Sequence, residues 1–516
     1  MQPQAPDTQS EVTAFLQSAA AWPGGAPVSH IETHGAHVFL SGTDAIKIKR
    51  AVRYDYMDLS TLARREAMLR RELALNRDAA PMIYRDVVAI TRDKGGRLGI
   101  AGEGEAVEWA LRMHRFPAEC ELTAIAERGG LTDAIVADLG RVIAAYHAQA
   151  PKRDLPGDRL IEDILAELAR VFAGFGAEVG EGAIAAFLDA ARGSLETLRP
   201  TLRARTGAGD VRRVHGDLHL RNIVLLDGQP VLFDALEFDE TLGTCDVLYD
   251  LAFLVMDLWH RDLRAQANGV LSAWLLHAGG RQDAGLVTLP LFLAVRAAIR
   301  AMVTLQTDRA TQAAGTGTPE ARRYLAEAVA ALAPARPCLI AIGGVSGTGK
   351  TVLARGVAPL AGACPGAVHL RSDTLRKAGD AAPQYDPGAR AAVYAAMLAR
   401  ARTILSARQS VVLDATFLDP EQRAAARSLA QSLGLPFHGL WLAAPEATLL
   451  ARVGARQGDA SDADAPVVRA QLAGQPAAPD WTQIDASRTP EATAAAARAA
   501  LAAVLPGAVV TTDALD

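Results

Sequence analysis

His215-Gly216-Asp217-Leu218-His219-Leu220-Arg221-Asn222 holds an aspartate and an asparagine at the spacing of a phosphoryl-transfer loop. Such a transfer needs a carboxylate to orient an acceptor hydroxyl and take its proton. It also needs oxygen ligands for Mg²⁺, a hard cation. Asp217 suits the first task and Asn222 the second. Downstream, residues 223–226 and 231–233 read as two strands joined by Asp227-Gly228-Gln229-Pro230. A hairpin closed there puts Ile223 opposite Asp234. Asn222 and the carboxylate of Asp234 then lie one step apart at its open end, where both can hold one metal ion. His219 reads equally well as a structural hydrogen-bonding group and as a catalytic one.

Toward the start of the chain, residues 31–100 read as short strands around one helix. Residues 37–40 and 45–49 alternate or are rich in β-formers, with Ser41-Gly42-Thr43-Asp44 as the turn between them. Residues 59–76 have helical periodicity, and 83–91 are strand-like again. The match of Ala45-Ile46-Lys47 to a Val-Ala-Ile-Lys strand makes Lys47 the expected holder of ATP phosphates. Lys49, two residues on and on the same face, is the second choice. A helix glutamate should pair with that lysine. Glu72 and Glu66 are both available, and Glu72 is preferred because Leu73 and Leu75 follow it and pack the helix inward. Helical texture covers 122–205, strands cover 211–234, and helices resume through 333.

Pro334 and Pro337 break an Ala-rich helix, so residues 334–337 read as a linker. Beyond it, strands at 338–342, 367–370, 411–413 and 437–442 alternate with helices, the signature of a parallel sheet. Between the first strand and a helical run from Val352 stands Gly344-Val345-Ser346-Gly347-Thr348-Gly349-Lys350-Thr351, a complete P-loop. Gly344, Ser346, Gly347, Thr348 and Gly349 form a cradle whose backbone N–H groups close around phosphate at a helix N-terminus. Lys350 neutralises the β- and γ-phosphates, and the Thr351 hydroxyl ligates Mg²⁺. Asp373, just past the second strand in Ser372-Asp373-Thr374-Leu375-Arg376, is the expected base for an acceptor hydroxyl, with Arg376 holding the acceptor. Asp414, ending the third strand, is the expected acidic partner of the Mg²⁺ site. Arg452 and Arg456 share a helix face ahead of an acidic stretch at 457–464. They read as lid arginines that clamp the transferring phosphoryl group. Residues 494–503 read as a helix.

Residues 215–222 with Phe233-Asp234 resemble the motif of aminoglycoside phosphotransferases and of choline- and homoserine-kinase-like enzymes. Cys245-Asp246-Val247-Leu248-Tyr249-Asp250-Leu251-Ala252 is similar to their next element, in which acidic groups brace the loop. The resemblance implies an α+β, protein-kinase-like fold for residues 1–333, with an N-lobe at about 25–115 and a C-lobe at about 116–333. It also implies that the tip at His34-Gly35-Ala36 covers phosphates and that 108–113 form the hinge receiving adenine. Protein kinases match less well, because Gly216 stands where they carry an arginine and Ala235-Leu236 follow Asp234. Residues 338–516 resemble the α/β P-loop NTPase fold of kinases grouped with zeta toxins, polynucleotide 5′-kinases and chloramphenicol phosphotransferases. The shared features are the P-loop, Ser-Asp-x-x-Arg and the lid arginines. The two halves in this order resemble the bifunctional aminoglycoside phosphotransferase/ATP-binding protein family.

The expected activity is phosphoryl transfer from ATP, with Mg²⁺, to hydroxyls of small-molecule acceptors. One active kinase governed by an ATP-binding sensor half is the alternative. A net charge of -5 and the acidic lid speak against nucleic acid as a partner, and so against an end-kinase reading. Residues 1–11 lack the basic-then-apolar pattern of a signal peptide. The best apolar run, 247–259, is interrupted by Asp250 and Asp257, so no membrane partner is expected. The four cysteines form no CxxC pair, which suits reduced thiols and a cytoplasmic location.

Overall fold

Isoleucines at 46 and 48 and lysines at 47 and 49 go to opposite faces of one strand, because side chains alternate with period two. The computed structural model describes residues 8–54, 57–311, 315–377, 386–455, 461, 463–474 and 480–502. It divides the chain into two units. Met1–Ile135, Ala150–Leu155 and Val211–Asp250 make the first, and Val136–Gln149, Pro156–Asp210 and Leu251–Asp516 the second.

The first unit is built on β1 (Val28–Glu32), β2 (Ala36–Ser41), β3 (Asp44–Lys49), β4 (Tyr84–Arg92), β5 (Leu98–Ile100) and β6 (Glu105–His114). These form one sheet in the order β1-β2-β3-β6-β4-β5, antiparallel throughout. Ile46 and Ile48 pack with Phe39 and Ile90 against Val12 and Leu16 of the helix Thr8–Gln17. On the other face Leu69 of the helix Leu62–Asn76 packs with Tyr84, Leu111, Val224 and Val231. That helix starts three residues later than its periodicity suggests, because the Thr61 hydroxyl caps it by accepting from the Arg64 N–H.

The hairpin β7 (Ile223–Leu226) and β8 (Gln229–Leu232) corrects the expected register. Ile223 pairs with Leu232, not with Asp234. Asp227 and Gly228 both enter the left-handed region, with φ of 48° and 75°, so a two-residue turn suffices where four residues were expected. The pairing moves by two residues. Phe233 N–H donates to Asn222 O at 3.0 Å, which leaves Asn222 and Asp234 one step apart on the other side.

In the second unit, helices including Gly157–Phe172, Glu181–Ala208, Arg264–His277 and Leu289–Thr311 enclose Phe172, Phe187, Trp274 and Phe292, all fully buried. The stretch Asp283–Thr311, rather than 247–259, is long and apolar enough to cross a membrane, but 67% of its apolar window is buried inside the protein. The helix Thr318–Leu332 ends at Ala333, which turns extended. Then follow β9 (Leu339–Gly343), β10 (Val368–Arg371), β11 (Val411–Asp414), β12 (Phe437–Ala443) and β13 (Thr482–Asp485). They make a parallel sheet in the order β10-β11-β9-β12-β13. β13 escaped the sequence reading because Ile484 is its only buried residue.

The Trp481 indole lies flat on Gly439, where an added Cβ would sit 2.3 Å from Cγ, and the Phe417 and Phe437 rings surround it. Gly439→Ala is therefore expected to destabilise this unit by about 1–3 kcal/mol. The check is a lower urea midpoint with an unchanged m-value.

Candidate active sites

Period-two alternation delivers both lysines of β3 to one buried carboxylate. Lys47 Nζ lies 2.7 Å from Glu72 Oε1 and 2.9 Å from Asp234 Oδ1. Lys49 Nζ lies 2.7 Å from Glu72 Oε2 and 2.5 Å from Glu237 Oε1. Arg65, Leu69, Glu72 and Asn76 are the buried stripe of their helix, whereas Glu66 lies off that stripe and pairs with Arg70 at the surface. Burial opposes charge on Lys47, but Asp234, Glu72 and Glu237 hold its ammonium well above the usual lysine range. Burial likewise raises the Asp234 carboxyl, and the Lys47 ammonium overrides it, leaving the group below the usual carboxylate range.

Asp234 is held with φ at 60°, in a region that non-glycine residues seldom enter. Its N–H donates to Tyr84 Oη at 3.0 Å, and the next N–H, of Ala235, donates to Asn76 Oδ1 at 2.8 Å. Tyr84 and Asn76 were not singled out from sequence. For Asn76 the signal was there, four residues after Glu72 on the same face. Asn222 Nδ2 donates to Asp217 O and Oδ2, both at 2.9 Å, and His219 Nε2 lies 3.3 Å from Asp217 Oδ2. Fully buried Asp250 accepts from Gly216 N–H at 2.8 Å, and His215 Nε2 lies 2.9 Å from Phe233 O. Residues 108–113 lie inside β6. All six pair with β4, and 111–113 pair with β3 as well, since that ladder runs from Leu111 to His114.

In the second unit the P-loop leaves the carboxyl end of β9, the central strand, where parallel sheets bind ligands. Gly344 has φ of 139°, and a Cβ there would meet Leu442 O at 2.6 Å, so only glycine fits. Gly347 and Gly349 also take positive φ. Lys350 Nζ donates to Val345 O at 3.1 Å, Thr348 Oγ1 donates to the same carbonyl, and Ser346 N–H donates to Gln471 Oε1. Thr351 Oγ1 donates to Asp414 Oδ2 at 2.7 Å. His369 Nε2 lies 3.2 Å from the same oxygen. Burial raises the Asp414 carboxyl, but His369, Lys350 and Arg371 bring it below the usual range. His369 and Arg371 were missed because they stand inside a strand rather than in a recognised motif. Asp373 Oδ1 pairs with Arg376 at 3.0 Å, and Arg371 lies 3.6 Å from Oδ2. Arg452 donates to Ala486 O and Arg488 O, so it braces the turn after β13. Arg456 lies outside the described residues.

A family model described as a phosphotransferase enzyme family matches residues 112–286, and one described as an AAA domain matches 339–510. Uncharacterized protein Rv2004c of Mycobacterium tuberculosis is 31% identical over 470 residues, which cover 87% of this chain and 90% of that protein. Uncharacterized protein Mb2027c of Mycobacterium bovis matches with the same figures. Among solved structures, a choline/ethanolamine kinase family protein from Mesorhizobium loti matches at 16% identity and a TM-score of 0.36, over 63% of this chain and 99% of its own. The APS kinase CysC of Mycobacterium tuberculosis matches at 21% identity and a TM-score of 0.26, over 33% of this chain and 99% of its own.

Two outcomes are expected of this geometry. Glu72→Gln strands two buried ammonium groups and should cost about 3–5 kcal/mol, whereas Glu66→Gln should cost under about 1 kcal/mol in the same thermal melts. Burial also lowers the His215 imidazole below its unfolded value. Its contribution is therefore complete above about pH 6.5 and is lost as the pH falls below that. His215→Gln should flatten the stability slope between about pH 6.5 and 5, read by urea denaturation at stepped pH.

Proposed function

The chain belongs to the family of those mycobacterial proteins, a phosphotransferase domain followed by a P-loop kinase domain, and from this we propose that it is a double kinase with two separate ATP–Mg²⁺ sites. The observation that carries the reading is that each unit by itself gathers a lysine, a carboxylate and a polar oxygen partner around one point. In the first, Lys47 bridges Glu72 and Asp234 while Asn222 is tied to Asp217. In the second, Lys350 stands inside the glycine cradle and Thr351 is bonded to Asp414.

The donor sets suit the proposed cofactor. Among the described residues no three His, Cys, Asp or Glu side chains form a metal cage. Mg²⁺ in kinases needs no such cage, since one or two carboxylates and phosphate oxygens suffice. In the first site Asn222 and Asp234 would hold the ion, Lys47 the phosphates, and Asp217 would take the acceptor proton. Glu72 keeps Lys47 in place. In the second, Thr351 and Asp414 would hold the ion, and the cradle from Gly344 to Gly349 with Lys350 would hold the phosphates. Asp373 is the proposed base there, oriented by Arg371 and Arg376. Bound ATP supplies the transferable phosphoryl group at each site. The acceptors are proposed to be small hydroxylated molecules, and the protein to work in the cytoplasm.

The test is a screen of radiolabelled ATP against hydroxylated metabolites and aminoglycosides. Asp217→Asn should remove one transfer activity by about 10²–10⁴-fold, the usual worth of a general base. Lys350→Ala should remove a different one. Turnover untouched by Lys350→Ala, with an altered response to nucleotide, would favour the sensor reading over two enzymes.

A further inference from the structure

β10 is an edge strand of the P-loop sheet, and alternate backbone groups on its outer side need partners from elsewhere. Val368 N–H turns inward and donates to Ser410 O, so residues 367 and 369 turn outward. Ala367 N–H donates to Ala358 O, while Ala367 O and His369 N–H find partners on the helix Arg264–His277, which lies inside the matched phosphotransferase segment. Asn268 Nδ2 donates to Ala367 O at 2.8 Å and to Pro365 O at 3.1 Å. Ser272 Oγ accepts from His369 N–H at 3.2 Å. Asn268 and Ser272 are four apart, so they present one helix face. Asn268 is 4% exposed, which makes its two bonds to carbonyls costly to lose.

A second anchor lies further along. Arg400, on the helix Pro387–Ser406, makes a two-pronged pair with buried Asp283, both contacts at 2.8 Å, and donates to Leu275 O. Asp373 and Arg376 lie between these anchors in sequence. From the first anchor a continuous chain of bonds runs inward. The Ser272 hydroxyl holds the His369 backbone, the His369 ring touches Asp414 Oδ2, and Asp414 accepts from Thr351.

We propose that Asn268 and Ser272, on the phosphotransferase half, are positioning residues of the P-loop site. Through β10 and His369 they set the Asp414–Thr351 pair that receives Mg²⁺. The nucleotide cradle itself is built from β9 and its own loop, so the proposal separates two quantities. Loss of the anchors disturbs the Mg²⁺ side and leaves the phosphate cradle intact. The inference rests on the P-loop kinase reading for its functional half, but its physical half stands on the edge strand alone.

The experiment uses the full chain with Asn268→Ala, Ser272→Ala and the double variant. Hydrogen exchange over 367–377 and 411–414 reads the anchoring whether or not nucleotide is turned over. It should quicken at least tenfold in the double variant and less in Ser272→Ala. Binding of a fluorescent ATP analogue is measured with and without Mg²⁺, taking the share lost in Lys350→Ala as that of the P-loop. Without Mg²⁺ that affinity should stay within twofold of the parent, while the Mg²⁺ needed for half-maximal enhancement rises several-fold. Unchanged exchange in the double variant overturns the proposal. So does quickened exchange with an unchanged Mg²⁺ requirement, or an equal loss of affinity with and without Mg²⁺, which would be the mark of a merely structural contact. Absence of any Lys350-dependent binding would instead count against the P-loop kinase reading, and the exchange result would still decide the anchoring.

Discussion

Glu72 is a carboxylate with no access to water that serves two ammonium groups at once. A single buried charge of either sign is untenable, and even a pair is costly unless the remaining hydrogen-bonding capacity is used. Here the cost is spread over a network. Lys47 reaches on to Asp234 and Lys49 to Glu237, so one helix, one strand and the segment after the hairpin are held in one arrangement. Asp234 keeps its unusual backbone because Tyr84 and Asn76 take two successive N–H groups. The arrangement of the first candidate site thus follows from neutralising Glu72. Lys47 and Asp234, which hold each other charged there, are the groups proposed to engage a triphosphate and its metal.

The second unit solves a related problem with backbone instead of side chains. Its cradle is drawn from glycines at positive φ, one of them pressed against Leu442 O, and its lysine is held inside by Val345 O. The Asp414 carboxylate accepts from the Thr351 hydroxyl and has His369 beside it. The two units gather their charged groups by different means. One relies on ion pairs between distant segments, the other on a local loop at the end of a central strand.

Those means explain what could be read in the chain. The P-loop was legible because its residues are contiguous and each has a separate physical duty. The octapeptide 215–222 stood out for the same reason. Lys47 and Glu72 were legible through periodicity alone, with a helical stripe and an alternating strand meeting face to face. The hairpin register was misjudged because Asp227 and Gly228 can both take left-handed backbone, which shortens the turn. That 108–113 form part of a ten-residue strand was not legible, since a paired strand and a strap look alike in composition. β13, with one buried residue, left almost no pattern. His369 and Arg371 belong to a strand whose outer neighbour comes from about a hundred residues earlier, a relation no local window carries.

That sequence separation also bears on synthesis. A chain leaves the ribosome from its N-terminus, and domains tend to form in that order. The helix carrying Asn268 and Ser272 is made before β10, so it is available when the unpaired side of that strand first emerges. Naked strand borders are where nascent chains stick to one another. The earlier half can therefore act as a built-in chaperone for the later one, and a cell making the later half by itself would release it with that border bare.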